Sequence, residues 1–312
     1  MAPDGAVAPD GDAPPNTRAR RSRRRRHLYA ALGIAALALW LTGCMERLFY
    51  VPTREPTPAP TWLSPGAEEV RFESSDGTRL CGWFVPALDR PARDAATIVH
   101  VHGNAGSMVS HLGFVDHLPA AGFNVFLFDY RGYGESEGSA TGRAALVEDA
   151  KAALRTVRAR PDVDPDRIAL LGQSLGGAVA VIVMADDLAH GGRIRSAVLE
   201  SPFASWREVA AAVVGGDPPP AWARGLAAWL IKDEVAGASR PVDAIATIDR
   251  PILVLHGTAD RIVPVSQGRR LAAAGRNVEL VEFANGDHNT LQLTHPLARQ
   301  RMIEFLTETT AP

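Results

Sequence analysis

The amino-acid sequence predicts an α/β fold, a mostly parallel sheet covered by helices on both faces. Short apolar runs alternate with helix-length amphipathic runs through most of the chain, the pattern of a parallel sheet with crossover helices. One apolar run, 167–171, ends in Gly172-Gln173-Ser174-Leu175-Gly176 and passes at once into a small-residue helical stretch, 177–181. Two later runs carry Asp260 and His288 just past their carboxyl ends, and in a parallel sheet such ends share one edge.

The N-terminal part stands outside that rhythm. Residues 1–17 are rich in Ala, Pro, Asp and Gly, a composition that cannot build a core. An arginine-dense stretch, 18–26, precedes an apolar run from Leu28 to Leu41 that is short for a bilayer span. A basic region, a short apolar core and small residues form an export signal, assigned to residues 1–43. Leu41-Thr42-Gly43-Cys44 resembles the lipobox of bacterial lipoproteins, which implies cleavage before Cys44 and a lipid on its thiol. An uncleaved signal anchor is the alternative. Both keep the arginines cytoplasmic and place the body outside the cytoplasm, held at a membrane. Ser22-Arg23-Arg24 fits a twin-arginine signal, but so dense an arginine stretch makes the match uninformative. Residues 44–67 hold five prolines between 51 and 66 and read as an extended connector.

The body, 68–312, reads in order as follows. Runs 69–73 and 78–85 flank Asp76-Gly77, a hairpin signal. Residues 96–101 form a strand, 110–121 a helix and 123–128 a strand. In 143–158, Leu146, Ala150, Leu154 and Val157 share a helical face. The strand before Ser174 and its helix follow, then strands at 196–199, 252–255 and 278–283 and an amphipathic helix over 297–306. Residues 204–245 interrupt the alternation. They contain Trp206, Trp222, Trp229 and Pro218-Pro219-Pro220, and read as a helical cap. Trp222, Trp229, Val213, Val214, Leu226, Leu230 and Ile231 exceed what so short a cap needs for itself, and are expected to line an acyl pocket.

Composition narrows the function. The 312 residues are 46% hydrophobic and 22% charged, ordinary for a globular protein. The formal charge of −2 hides an asymmetry. Residues 1–43 carry seven arginines and three aspartates, which leaves the rest at −6, with 26 basic against 32 acidic residues. A mildly acidic body argues against nucleic-acid binding. The two cysteines, Cys44 and Cys81, make no disulfide framework, and Cys81 sits in a strand pattern as a small apolar residue. His111 and His117, six apart, fall on different helix faces, and no HExxH or CxxC occurs, so no metal site is expected. Gly132-Tyr133-Gly134 follows a strand, but Glu137 stands where a dinucleotide fingerprint needs glycine.

The remaining pattern is that of nucleophilic catalysis. A serine at a strand–turn–helix junction takes strained angles that push its hydroxyl clear of the sheet. The flanking glycines leave room for the neighbouring strand and helix. The hydroxyl needs a base, and the base an orienting carboxylate. His288 and Asp260 are the candidates, with Glu200, at another strand end, as the substitute acid. Asp287 adjoins His288 in sequence but is poorly placed to face it. The Leu175 amide, at the helix start, and the Asn104 amide, in His102-Gly103-Asn104-Ala105-Gly106, are candidate oxyanion donors. His100 and His102 are expected to satisfy hydrogen bonds beneath that loop.

Six stretches together resemble the α/β-hydrolase superfamily: HGNAG (102–106), DYRGYGESEG (129–138), GQSLGG (172–177), ESPF (200–203), HGTAD-RIVP (256–264) and GDHN (286–289). The likeness is strongest to small membrane-associated serine hydrolases, the branch that includes protein depalmitoylases. It implies a nucleophile at Ser174, an acid at Asp260, a base at His288 and oxyanion donors at Asn104 and Leu175. It further implies hydrolysis of a carboxylic ester or thioester, a small-molecule or lipid acyl substrate and no cofactor. A peptidase or amidase using the same groups, and a surface lipoprotein that only binds, are the alternatives.

Overall fold

The computed structural model describes residues 28–34, 37, 49–56, 58–215, 217–231, 235 and 238–312, with only the backbone described at Val213, Val214, Ala228 and Leu230. Two units are distinguished, Met1–Cys44 and Met45–Pro312. Of the first, residues 28–34 are helical. No helix among the described residues is long and apolar enough to cross a membrane. Cys44 and most of the expected export signal lie outside the described residues.

In the second unit the strands are β1 (Val51–Pro52), β2 (Glu68–Glu73), β3 (Arg79–Val85), β4 (Thr97–Val101), β5 (Ala105–Gly106), β6 (Asn124–Phe128), β7 (Ile168–Gln173), β8 (Ala197–Glu200), β9 (Ile252–Gly257) and β10 (Val278–Phe283). The helices are α1 (Arg143–Arg158), α2 (Leu175–Ala189), α3 (Trp206–Gly215), α4 (Ala221–Leu230), α5 (Pro241–Ile245), α6 (Val265–Ala274), α7 (Leu291–Thr294) and α8 (Pro296–Thr309). Eight strands form one sheet in the order β10-β9-β8-β7-β4-β6-β3-β2. Only β3 runs against the rest, because it is the return arm of the hairpin closed at Asp76-Gly77, where Gly77 takes φ +81°. This is the architecture of the α/β-hydrolase fold.

The central strands β4, β6, β7, β8 and β9 are buried along their whole length, as parallel strands covered on both faces must be. Their side chains alternate between two cores. Val99, Val101, Leu170 and Val254 join one cluster with residues of α1 and α2. Ile98, Ala169, Leu171, Leu253 and Leu255 join the other, with Leu118 and, from α8, Met302, Phe305 and Leu306. Helix α1 buries Leu146, Ala150, Leu154 and Val157 as its periodicity predicts. Helix α2 buries every residue from Leu175 to Met184, which is why its sequence shows almost no polar face there.

Two expectations change. The run 110–121 is not an α-helix. It is a 3₁₀ segment, Met108–Phe114, followed by turns to Gly122. Gly113 weakens a helix there, and Pro119 supplies no backbone donor. The His111 ring is instead held against the Ala105 carbonyl at 2.8 Å. The proline-rich stretch is extended but docked. β1 pairs in parallel with β5, and Ala59 and Leu63 pack on the second core.

Strand order places the switch point at β4, whose successors in sequence lie on either side of it, β6 on one and β7 on the other. Crevices that bind ligands open at the carboxyl ends of such strands. The start of α2 closes tightly there. A Cβ at Gly176 would overlap the carbonyl oxygens of Val101 and His102. Gly176→Ala should therefore lower unfolding free energy by about 3 kcal/mol or more, the upper end of overpacking costs. Gly225 in α4 faces open space, so Gly225→Ala should raise it by about 0.5–1 kcal/mol. Urea unfolding of the two variants checks both signs.

Candidate active site

Ser174 occupies the turn between β7 and α2 with φ +55° and ψ −115°, a conformation an L-residue adopts only under constraint. Three hydrogen bonds impose it. The Ser174 amide donates to the Glu200 carbonyl at 2.8 Å, and the Ser174 carbonyl accepts from Gly177 N at 3.0 Å and Ala178 N at 3.3 Å. Gly172 is needed because a Cβ there would meet the backbone of Gly176 and Gly177. Leu175 is the first residue of α2, so its amide lies in the turn whose donors have no helical acceptor.

Asp260 and His288 arrive on the loops after β9 and β10. Those loops touch through glycine backbone, with a Cβ at Gly257 blocked by Gly286. The Thr258 amide donates to Phe283 O at 2.9 Å and the Ala259 amide to Gly286 O at 3.0 Å. Asn285 takes φ +61° and donates its amide to Thr258 Oγ1 at 3.0 Å. The result is a 2.7 Å contact between His288 Nδ1 and Asp260 Oδ2, with both side chains buried. Asp260 Oδ1 accepts from the amides of Ile262 and Val263 at 2.9 and 2.8 Å. Burial pulls the Asp260 carboxyl up, but the His288 hydrogen bond and charge and the Val263 amide outweigh it and hold it below the usual carboxylate range. An Asp260-bound Nδ1–H leaves Nε2 as the basic ring nitrogen.

Asn104 follows β4. Its side chain is tied at both ends. Nδ2 donates to Phe49 O at 2.6 Å, and the Tyr133 hydroxyl donates to Asn104 O at 2.7 Å, with Oδ1 3.1 Å away. Among the described residues no hydrogen bond takes the Asn104 amide. A cavity of about 390 Å³ joins these groups. Asn104, Ala105, Gln173, Ser174, His288 and Asn289 line it. Ser110, His111, Phe114 and Ile262 complete it. That size is within the range of small-molecule sites.

Other candidates fall elsewhere. The Glu200 carboxylate accepts from Gln292 Nε2 at 2.6 Å. Burial pushes its carboxyl up to about 7 against the pull of Gln292 and Arg299. Asp287 is exposed and accepts from the Asn289 amide at 3.2 Å. His102 Nδ1 lies 2.7 Å from Gly103 O as expected, but no hydrogen bond reaches either ring nitrogen of His100 among the described residues. Burial holds His100 down to about 3, a neutral ring. No described residue of the cap lines the cavity. Trp222, Leu226 and Trp229 are exposed, and Ile231 packs beside Phe49, Tyr50 and Trp206. The side chains of Val213, Val214 and Leu230 lie outside the described residues. The cap leans on α6 instead, through Glu208 with Arg270 and Asp217 with Ser266.

Glu69, Cys81 and Glu135 bring potential metal ligands together, but Arg71 pairs with both carboxylates. Burial pushes the Cys81 thiol up to about 12, so the group is no ready cation site. The sequence reading missed His256. Its Nε2 lies 2.9 Å from Val263 O and 3.5 Å from Asp260 Oδ2, bracing the acid loop. Only its place in the HGTAD stretch hinted at it.

Comparison with known proteins identifies the family and the fold. A family profile described as serine aminopeptidase, S33, matches residues 92–233, and one described as TAP-like protein matches residues 220–312. The YfhR protein of Salmonella typhi is 39% identical over 252 residues, 77% of this chain and 80% of that protein. The α/β-hydrolase domain-containing protein WAV2 of Arabidopsis thaliana is 32% identical over 83% of this chain and 86% of its own length. An esterase of Pyrococcus furiosus has the same fold, with a TM-score of 0.66 at 23% identity, covering 84% of this chain and 98% of the esterase.

The buried Glu200 carboxyl makes a pH prediction. Below about pH 4.5 it is protonated whether the chain is folded or not, and it imposes no penalty. Between there and about 7 the unfolded chain releases a proton that the folded one keeps, so stability falls. Above about 7 the whole penalty, on the order of 3 kcal/mol, is present. Glu200→Gln removes it, and its stability advantage over wild type should widen across that window. Asp129, which burial raises to about 7 against the pull of the Met108 amide, titrates equally in both proteins and cancels. Urea titrations at several pH values measure the difference.

Proposed function

The chain belongs to the α/β-hydrolase superfamily, and from that premise we propose that it is a serine hydrolase cleaving carboxylic esters or thioesters through an acyl-enzyme. One observation carries the reading. A serine forced to φ +55° shares a cavity with a histidine whose other nitrogen is 2.7 Å from a buried carboxylate. In this reading Ser174 Oγ attacks the acyl carbon as its proton passes to His288 Nε2. Asp260 fixes the ring tautomer and offsets the imidazolium charge. The amides of Leu175 and Asn104 receive the oxyanion. The tetrahedral adduct expels the alcohol or thiol, which takes the proton from His288. Water, deprotonated by the same ring, then adds to the acyl-enzyme and releases the acid and Ser174.

The lining favours a neutral acyl group. Among the described residues no acidic or basic side chain apart from histidine lines the cavity, so none of them pairs there with the free ammonium that an aminopeptidase recognises. A binding-only role is the remaining alternative, and it leaves the strain at Ser174 without a use.

A fluorophosphonate probe should label Ser174, and Ser174→Ala should abolish both labelling and p-nitrophenyl ester hydrolysis. Asp260→Asn should lower kcat by on the order of 10⁴. Glu200→Gln should leave kcat within a few-fold. Labelling that persists in Ser174→Ala would remove the nucleophile. Faster turnover of an aminoacyl amide than of any ester would favour the peptidase reading.

We further propose that the chain is exported and held at a membrane by lipid on Cys44, which lies outside the described residues. The short apolar run and the Leu-Thr-Gly-Cys stretch support it. Several acyl chains, at about 0.8 kcal/mol per buried methylene, make such an anchor firm. Mass spectrometry of detergent-extracted protein should find Cys44 as the lipidated first residue, and Cys44→Ser should accumulate the unprocessed chain. An intact N-terminus in the wild type would make the segment a signal anchor.

A further inference from the structure

The connector crosses the loop that carries the Asn104 amide, one of the two proposed oxyanion donors. Phe49 O accepts from Asn104 Nδ2 at 2.6 Å. Val51 and Pro52 pair with Ala105 and Gly106, and the Thr53 amide donates to Gly106 O at 2.7 Å. The strap then turns to the 129–138 loop. The Gly134 amide donates to Thr53 O at 2.8 Å, Arg54 Nε donates to Gly132 O at 3.1 Å, and Arg54 Nη2 donates to Gly138 O. Gly132, Gly134 and Gly138 all take positive φ, a conformation glycine adopts freely, and the strap supplies donors and an acceptor that fix the loop in it. Tyr133, at its centre, donates its hydroxyl to the Asn104 carbonyl. The contacts close a ring that runs from Phe49 to Asn104, on to Tyr133 and its loop, and through Arg54 back to the strap.

We propose that residues 49–54 are a positioning strap for the oxyanion loop, holding the Asn104 amide in register with that of Leu175. The proposal rests on the hydrolase reading above. It follows from how Asn104 is spent. Both ends of its side chain go to the strap and to Tyr133, so its orientation, and that of its amide, is set by chain that lies 55 residues earlier. Oxyanion donors act only when aimed at the developing charge, and a displacement of about 1 Å can cost about 10²-fold. The strap also carries the covalent path to Cys44, so the site is held by the same segment that leads to the proposed anchor.

The test uses the full chain. Arg54 is exposed, so Arg54→Ala should fold, with a melting temperature within a few degrees of wild type. Its kcat should fall at least 10-fold with KM changed less than twofold, because an oxyanion donor acts on the transition state far more than on the bound substrate. Amide hydrogen exchange at Thr53 and Gly134 should quicken, while α2 keeps its protection. Tyr133→Phe should lower kcat similarly, and the double variant should lose less than the product of the single losses, since both break one ring. Thr53→Pro, which deletes the donor to Gly106, gives a second route. Rapid exchange at Gly134 with wild-type kcat would overturn the strap while sparing the hydrolase reading. A wild type that neither hydrolyses esters nor takes the fluorophosphonate would defeat that reading, and the strap's role with it.

Discussion

The start of helix α2 rests on the carbonyls of Val101 and His102, and only glycine at 176 allows it. The rest of the site follows from that approach. It brings the end of β4 against the turn after β7, so the loop carrying Asn104 and the amide of Leu175 meet. It also leaves the turn so short that Ser174 must take φ +55°. Such a conformation costs about 1–3 kcal/mol. Burial of α2 offsets it, since each fully buried Val or Ile contributes about 1.5–3 kcal/mol and the helix buries Val179, Val181, Ile182 and Val183. The strain sits where the sheet and helix are packed hardest, and only there is it sustained.

A second glycine contact, Gly257 against Gly286, does for Asp260 and His288 what Gly176 does for Ser174. The two buried carboxylates near it show how environment divides one chemistry. Asp260 receives two backbone amides and the His288 ring, and stays ionised against its burial. Glu200 receives one side-chain amide, and burial, with a smaller push from the Asp260 charge, raises it. A carboxyl near neutrality is a poor partner for an imidazolium. Its backbone carbonyl, which holds the Ser174 amide, is the part of Glu200 that touches the turn.

Much of this was legible in the sequence, because it is written locally. The 143–158 helix, the Asp76-Gly77 hairpin and the glycines around Ser174 each follow from spacing within a few residues. Asp260 and His288 were legible as strand-end residues because parallel topology sends such ends to one edge. What failed had two causes. The 3₁₀ form of 108–114 is local, set by Gly113, Pro119 and the contact of His111 with Ala105. The docking of 49–54 depends on carbonyls at 106, 132 and 138, and a carbonyl leaves no mark on composition. The cap tryptophans misled for a related reason. Apolar residues in excess of local need indicate burial somewhere, but Trp222 and Trp229 face outward.

The cavity walls therefore come from the same loops that hold the reactive groups. Phe114 belongs to the segment pinned at His111, and Ile262 to the loop whose amide binds Asp260. Asn289 is the residue after His288. Each described side chain that lines the cavity is thus within three residues of one that orients a candidate reacting or bracing group. Under the proposed reading, selection and chemistry are mechanically linked. A bulkier residue at 262 narrows the cavity, and it also pulls on the Asp260 carboxylate through its own amide. Under the same reading, Phe114 and Ser110 offer a gentler route to a changed substrate range, since neither bonds the Asp260 carboxylate. The described residues of the cap lie outside the cavity lining, and the cap leans on α6.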